Sequence, residues 1–223
     1  MSQKKWTAVD RYITEKLVGA DPILDAALMA NAAAKLPGID VSPTQGKFLY
    51  LMALAKGARR ILEIGTLGGY STIWLARALP PEGRLITLEL EAKHAKVAQA
   101  NLDRAGLSTM VEIRLGPATA SLAQLHQEGG APFDLIFIDA DKQNIPAYLG
   151  WALKLAHLGT VILTDNVVRE GAILDADSTD PSIQGARAMF DMLAAEPRLS
   201  ATVIQTVGSK KYDGFAMAVV VGE

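Results

Sequence analysis

Along the first fifty-odd positions, apolar residues recur at helical spacing. Val9, Ile13 and Leu17 fall on one face between Trp6 and Leu17, which predicts a first helix. Asp21-Pro22 supplies an N-cap followed by proline at the first helical position, and Gly38 closes the segment. Ser42-Pro43-Thr44-Gln45 predicts a third start, with Gln45 placed for a capping box and the helix running to Lys56.

The period then changes. Short apolar runs occupy Arg60–Ile64, Leu85–Leu90, Val111–Leu115, Leu135–Ile138 and Val161–Thr164. Helical stretches separate them, such as Ala92–Ala105, which stops at Gly106. Strands that are apolar on both faces and alternate with helices predict a parallel sheet covered on both sides. Two late runs, Ala201–Val207 and Phe215–Val221, flank the turn-like stretch 208–214 and predict an antiparallel hairpin at one edge. The expected fold is therefore α/β: Rossmann-like and doubly wound, with a mostly parallel seven-stranded sheet, helices on both faces and an antiparallel C-terminal hairpin. No repeat, low-complexity tract or linker divides the chain. One domain over residues 1–223 is expected, its helical segment 1–40 contributing to a substrate site or a dimer contact.

Composition narrows the function. A net charge of −2 offers no basic face for nucleic acid. No apolar run reaches the roughly 18 residues of a membrane span, so no membrane partner is expected. The N-terminal residues lack the apolar stretch of a signal peptide. There are no cysteines, which removes disulfides, thiolate metal sites and cysteine nucleophiles and permits a cytoplasmic location. His94, His126 and His157 are far apart in sequence and read as surface residues. Ser71 lacks the G-x-S-x-G spacing of a hydrolase elbow.

The first strand ends in "ILEIGTLGGYST". Gly65, Gly68 and Gly69 let a ligand approach the backbone closely at the place where doubly wound sheets bind nucleotide-like groups. Leu67 stands where the dinucleotide fingerprint needs glycine, and Glu63 would repel a diphosphate. A carboxylate there suits a cationic ligand. S-adenosylmethionine (SAM) has a sulfonium, an ammonium and no phosphate. The second strand ends in Glu89, placed to accept hydrogen bonds from ribose hydroxyls. Glu91 follows closely, and either acid also reads as a solvated charge at a helix N-terminus.

Two further strands end in acids. Asp139 follows "LIFI", and Asp165-Asn166 follows "TVILT". Adjacent parallel strands point these ends into one crevice, where two carboxylates and an amide carbonyl suit a hard divalent ion. Mg²⁺ is the simplest choice, with Mn²⁺ or Ca²⁺ as alternatives. Lys142 sits three positions after Asp139. Taken alone it reads as a surface lysine paired with Asp141; the spacing from Asp139 favours a chemical role.

"LEIGTLGGYS", "GPA" at Gly116-Pro117-Ala118, "FIDADKQN" and "LTDN" together resemble the motifs of cation-dependent class I O-methyltransferases of the caffeoyl-coenzyme-A and catechol type, the bacterial members above all. The resemblance runs from the Gln45-Gly46 helix to "YDGFAMAVV" at Tyr212–Val220. It implies Asp139, Asp165 and Asn166 as metal ligands, with Lys142 and Asp139 as catalytic residues. It implies SAM contacts at Val41, Glu63, Gly65, Ser71, Glu89, Ala118, Asp139, Asp141 and Tyr148. It also implies a homodimer, for which the alanine face at Ala26, Ala27, Ala30, Ala33 and Ala34 offers close helix packing. The acceptor would be a small phenolic molecule with adjacent hydroxyls, one of them losing its proton to Lys142. A phenol ionises near pH 10, so that step needs Lewis-acid help.

The chain departs from the family at several points. Ile145 stands where an aromatic residue is frequent, Leu158-Gly159-Thr160 replaces Pro-Gly-Gly, and Val167 to Gly171 replaces an aromatic substrate wall. Arg169 reads either as a partner for an acidic substrate or as a partner of Glu170. Two other classes stay open from sequence: a nicotinamide oxidoreductase, disfavoured by Leu67 and Glu63, and a catalytically silent, metal-stabilised binding protein.

Overall fold

The computed structural model of the protein describes residues 2–222. Its centre is a seven-stranded sheet built from β1 (Arg60–Ile64), β2 (Arg84–Glu89), β3 (Val111–Leu115), β4 (Phe133–Ile138), β5 (Ala156–Asp165), β6 (Leu199–Gly208) and β7 (Lys211–Val220). The spatial order is β3-β2-β1-β4-β5-β7-β6, parallel through β5 and antiparallel at β7 and β6. This is the architecture expected. The strand order reverses between β1 and β4, so the crevice opens beyond the C-terminal ends of those two strands.

Strict alternation feeds two cores. Ile61, Leu85, Leu135, Phe137, Val161 and Leu163 point to one face, where α2 (Pro22–Ala33), α3 (Pro43–Lys56), α4 (Tyr70–Ala76) and α5 (Ala92–Ala105) cover them. Leu62, Ile64, Ile86, Leu88, Ile136, Ile138 and Ile162 point to the other, under α6 (Ala118–Glu128), α7 (Ile145–Leu155) and α8 (Pro181–Ala195). Apolar residues on both faces of each central strand are what a sheet buried on two sides requires.

Several boundaries differ from expectation, each for a local reason. α1 spans Gln3–Ile13 and passes into a π-helical turn, Thr14–Val18, instead of one continuous helix. α2 ends at Ala33, before Gly38; Asn31 is turned inward there and its amide is bound to Asp40. The late hairpin is tighter than the turn-like composition suggests. Gly208 pairs with Lys211, leaving a two-residue turn of Ser209 and Lys210, because Tyr212, Asp213 and Gly214 all find ladder partners on β6. α1 docks on this turn: Gln3 Nε2 donates to the Gly208 carbonyl (2.7 Å), and Asp10 accepts from the Ser209 N–H (2.7 Å).

α8 lies against the short helical turn Lys142–Asn144, and Gly185 makes this contact possible. A Cβ there would run into the Lys142 carbonyl oxygen and the Gln143 Cα. Gly185→Ala is therefore expected to cost about 1–3 kcal/mol, the usual scale of overpacking. Urea denaturation checks this; an unchanged midpoint would show that the turn moves aside freely.

Candidate active site

The loop after β1 turns sharply. Gly65 has φ +101°, and a Cβ on it would strike the Asp139 carbonyl. The Asp139 N–H donates to the Ile64 carbonyl (2.8 Å), and the Gly65 N–H to that of Leu88 (3.0 Å). The ends of β1, β2 and β4 are thereby held at one seam. Above it opens a cleft of about 720 Å³.

Most of the residues singled out in the sequence line this cleft: Val41, Gly65, Ser71, Glu89, Ala118, Asp139, Asp141, Lys142, Tyr148 and Asn166. Glu63 and Asp165 do not. The Glu63 side chain is fully buried behind the glycine loop and accepts hydrogen bonds from Ser71 Oγ (2.6 Å), Thr72 Oγ1 (2.5 Å) and Thr87 Oγ1 (2.7 Å). Strand alternation turns Glu63 toward α4, whose first turn supplies two of those hydroxyls. The expected direct contact of its carboxylate with a ligand is therefore replaced by a supporting place beneath the loop. Burial is the main influence on this acid and pushes its pKa up to about 7, against the lowering effect of the hydroxyls.

Glu89 ties the first two strand ends together. Its carboxylate accepts from the backbone N–H groups of Thr66 (3.2 Å), Leu67 (2.8 Å) and Glu91 (2.9 Å). His94 Nδ1 lies 3.4 Å from the same carboxylate and lines the cleft, so His94 is no ordinary surface residue. The first turn of α5 begins beside the end of β2, which brings position 94 back over Glu89. Asp141 is held at both oxygens, by Tyr148 Oη and by Asn144 Nδ2, each at 2.5 Å. Burial first, and then the Asp141 carboxylate, push the Tyr148 hydroxyl well above the usual phenol range.

Beyond the seam lies a corner of oxygen donors. Ile138 pairs with Thr164 in parallel register, so Asp139 and Asp165 follow on neighbouring strands. Asp165 is buried, and the Gln45 side chain lies near its carboxylate. Burial, then the nearby Asp139 charge, raise the Asp165 pKa. Asn166 takes a left-handed backbone, φ +56°, which asparagine tolerates better than most residues. Lys142 is 9% exposed, and its Nζ donates to Asp139 Oδ1 at 2.8 Å. The lysine thus pairs with Asp139 and not with Asp141. The donor set is two carboxylates and an amide; among the described residues no group of three or more His, Cys, Asp or Glu side chains forms a metal site. An all-oxygen corner with mutually repelling carboxylates fits a hard cation.

Gln45 was legible only in part. Its N–H donates to Ser42 Oγ (3.2 Å), which is half of the expected capping box. Its side chain lies near Asp165, a residue that sequence distance hides.

The model of the O-methyltransferase family matches residues 15–217. This chain belongs to that family. Among its relatives are the catechol O-methyltransferases of Niastella koreensis and Mycobacterium tuberculosis. The first is 54% identical, over 99% of this chain and 100% of that protein; the second is 56% identical, over 95% and 94%. The solved O-methyltransferase of Bacillus cereus, in complex with SAH, is 59% identical with a TM-score of 0.97, covering 98% of this chain and all of that one. TomG from Streptomyces achromogenes, solved with SAM, is 50% identical with a TM-score of 0.96 over the full length of both chains. Family membership makes the chain an O-methyltransferase and removes the oxidoreductase reading.

The buried Glu63 makes a measurable demand on this enzyme. Its pKa is higher folded, about 7, than the ordinary 4.5 of an unfolded chain, so the native state holds the extra proton. Its contribution is intact below pH 4.5 and is lost as pH rises toward 7, for a total of about 3 kcal/mol. Glu63→Gln, which cannot ionise, is expected to flatten this part of the profile. Urea titrations of both proteins between pH 4.5 and 8 test it, and parallel profiles would refute the assignment.

Proposed function

We propose that this O-methyltransferase moves the methyl group of SAM to one hydroxyl of a catechol-type small molecule, with a divalent cation held by Asp139, Asp165 and Asn166. The observation that carries the reading is the position of Asp139. It borders the glycine loop on one side and the Lys142–Asn166 corner on the other, so donor and acceptor would meet across it. The names of the relatives support catechol as the acceptor class and SAM as the donor.

Each residue has a definite task in this reading. Val41, Gly65, Ser71, Ala118, Asp141 and Tyr148 line the half of the cleft that takes SAM, and Glu89 accepts its ribose hydroxyls. Glu63 keeps the glycine loop in shape through Ser71 and Thr72. Asp139, Asp165 and Asn166 would hold the cation, Mg²⁺ in the simplest case, which when bound supplies Lewis-acid acidification of an acceptor hydroxyl. Lys142 Nζ, in its neutral amine form, would accept the proton that this hydroxyl gives up, and the cleft walls align the oxygen for attack on the methyl group.

The chain as a whole is read as one domain that works in the cytoplasm on a small molecule, with no nucleic-acid partner. No helix among the described residues is long and apolar enough to cross a membrane. A homodimer belongs to the same proposal. Tyr12, Leu17, Met29 and Leu51 are exposed apolar groups on the N-terminal helices, and the alanine face of α2 lies only partly inside the core.

Two experiments test the reading. Methyl transfer to a catechol should cease with excess chelator and return with Mg²⁺ or Mn²⁺; full activity in chelator would remove the cation. Lys142→Ala should lower turnover by about 10²- to 10⁴-fold, the usual scale for loss of a general base. This deficit should narrow at high pH and for acceptors with acidic hydroxyls, such as nitrocatechols. A deficit equal at every pH and for every acceptor would make Lys142 a positioning group only.

A further inference from the structure

The three basic side chains lining the cleft differ in one respect. Lys142 is paired with Asp139, and His94 lies against Glu89. The Arg169 guanidinium has no hydrogen bond or ion pair among the described residues, and its Nε is buried without a partner. Glu170, the neighbour expected to neutralise it, instead pairs with Lys211 at 3.3 Å. Asp213, the other nearby acid in the loop, spends Oδ1 on the N–H groups of Val168 (3.0 Å), Arg169 (2.9 Å) and Gly214 (2.9 Å).

The backbone around Arg169 is also unusual. Arg169 and Glu170 both take left-handed conformations, φ +55°, followed by Gly171 at φ +86°. Two consecutive non-glycine residues in this region need outside support, and such strain gathers at ligand clamps. The support is visible: the Asp213 carboxylate holds two successive N–H groups of this loop, and the Gly171 N–H donates to the Val168 carbonyl (3.0 Å). A rigid loop therefore carries an unpartnered guanidinium in the cleft wall, three residues after Asn166. A guanidinium is a planar fork that matches a carboxylate with two parallel hydrogen bonds.

We propose that Arg169 forms a carboxylate subsite, and that the acceptor is a dihydroxy aromatic acid and not a neutral or cationic catechol. The inference rests on the catechol reading above and deepens it. The carboxylate can sit on the ring or at the end of a short side chain, and the two differ only in reach.

The test compares acid and amide pairs of equal shape: 3,4-dihydroxybenzoate with its amide, and 3,4-dihydroxycinnamate with its amide. The wild-type enzyme should favour the acid of at least one pair by about ten- to hundredfold in kcat/KM, chiefly through KM. The favoured pair identifies the reach. Arg169→Gln should remove most of that preference, and Arg169→Lys should keep part of it, since the charge remains while the fork is lost. Equal kcat/KM on acid and amide in the wild type overturns the subsite even if no variant folds, and so does a preference that survives Arg169→Gln. In both of those cases catechol methylation itself stands. If neither member of either pair is methylated, the catechol reading falls and takes this inference with it.

Discussion

The closeness of β1 and β4 at their C-terminal ends is the constraint on which this structure depends. Gly65 leaves no room for a side chain against the Asp139 carbonyl, and the Asp139 N–H completes the ladder to Ile64. That seam lies where the strand order reverses, so the loops on its two sides diverge and leave a crevice between them. One loop carries the glycines, the other Asp139, Asp141 and Lys142. A wider separation of the two strands would divide the cleft into unconnected halves.

The sheet end concentrates acids, and the protein stabilises each by different means. Glu63 is buried among hydroxyls and favours its protonated form. Glu89 takes backbone N–H groups, and Asp141 takes a phenol and an amide. Asp139 and Asp165 repel each other across the strand ends, and Lys142 answers that repulsion from one side. This uneven distribution separates a half of the cleft that is neutralised by fixed protein dipoles from a corner suited to a cation. Carboxylates of one type thus serve different tasks because their surroundings differ.

Support reaches this site from distant parts of the chain. Asn31 of α2 contacts Asp40 and Asn101, and the Asn101 amide donates to the Gly68 carbonyl (2.8 Å), so a buried polar network connects the N-terminal helices to the glycine loop. A Cβ at Gly68 would collide with the Asn31 amide. The glycine there serves helix packing. Fully bonded buried networks of this kind hold a loop in one conformation.

The sequence by itself determined the order of elements, the two-faced core and the strand ends at which the candidate site gathers. Uninterrupted apolar runs such as Leu135–Ile138 are what strands buried on both faces require, and Asp139, Asp165 and Asn166 are marked by standing at strand ends. The combination of "LEIGTLGGYS", "GPA", "FIDADKQN" and "LTDN" carried the family resemblance. Only the tertiary structure decided which side chains meet. It withdrew Glu63 behind the loop, folded His94 over Glu89, brought Gln45 near Asp165 and left Arg169 without the partner that sequence adjacency suggested. The hairpin showed the same limit, since its polar turn-like residues pair as strand once β6 lies beside them. The physical reason is common to all. Backbone periodicity is written in neighbouring residues, whereas a side chain's charge state and hydrogen-bond partners depend on groups brought near by folding, tens of positions away along the chain.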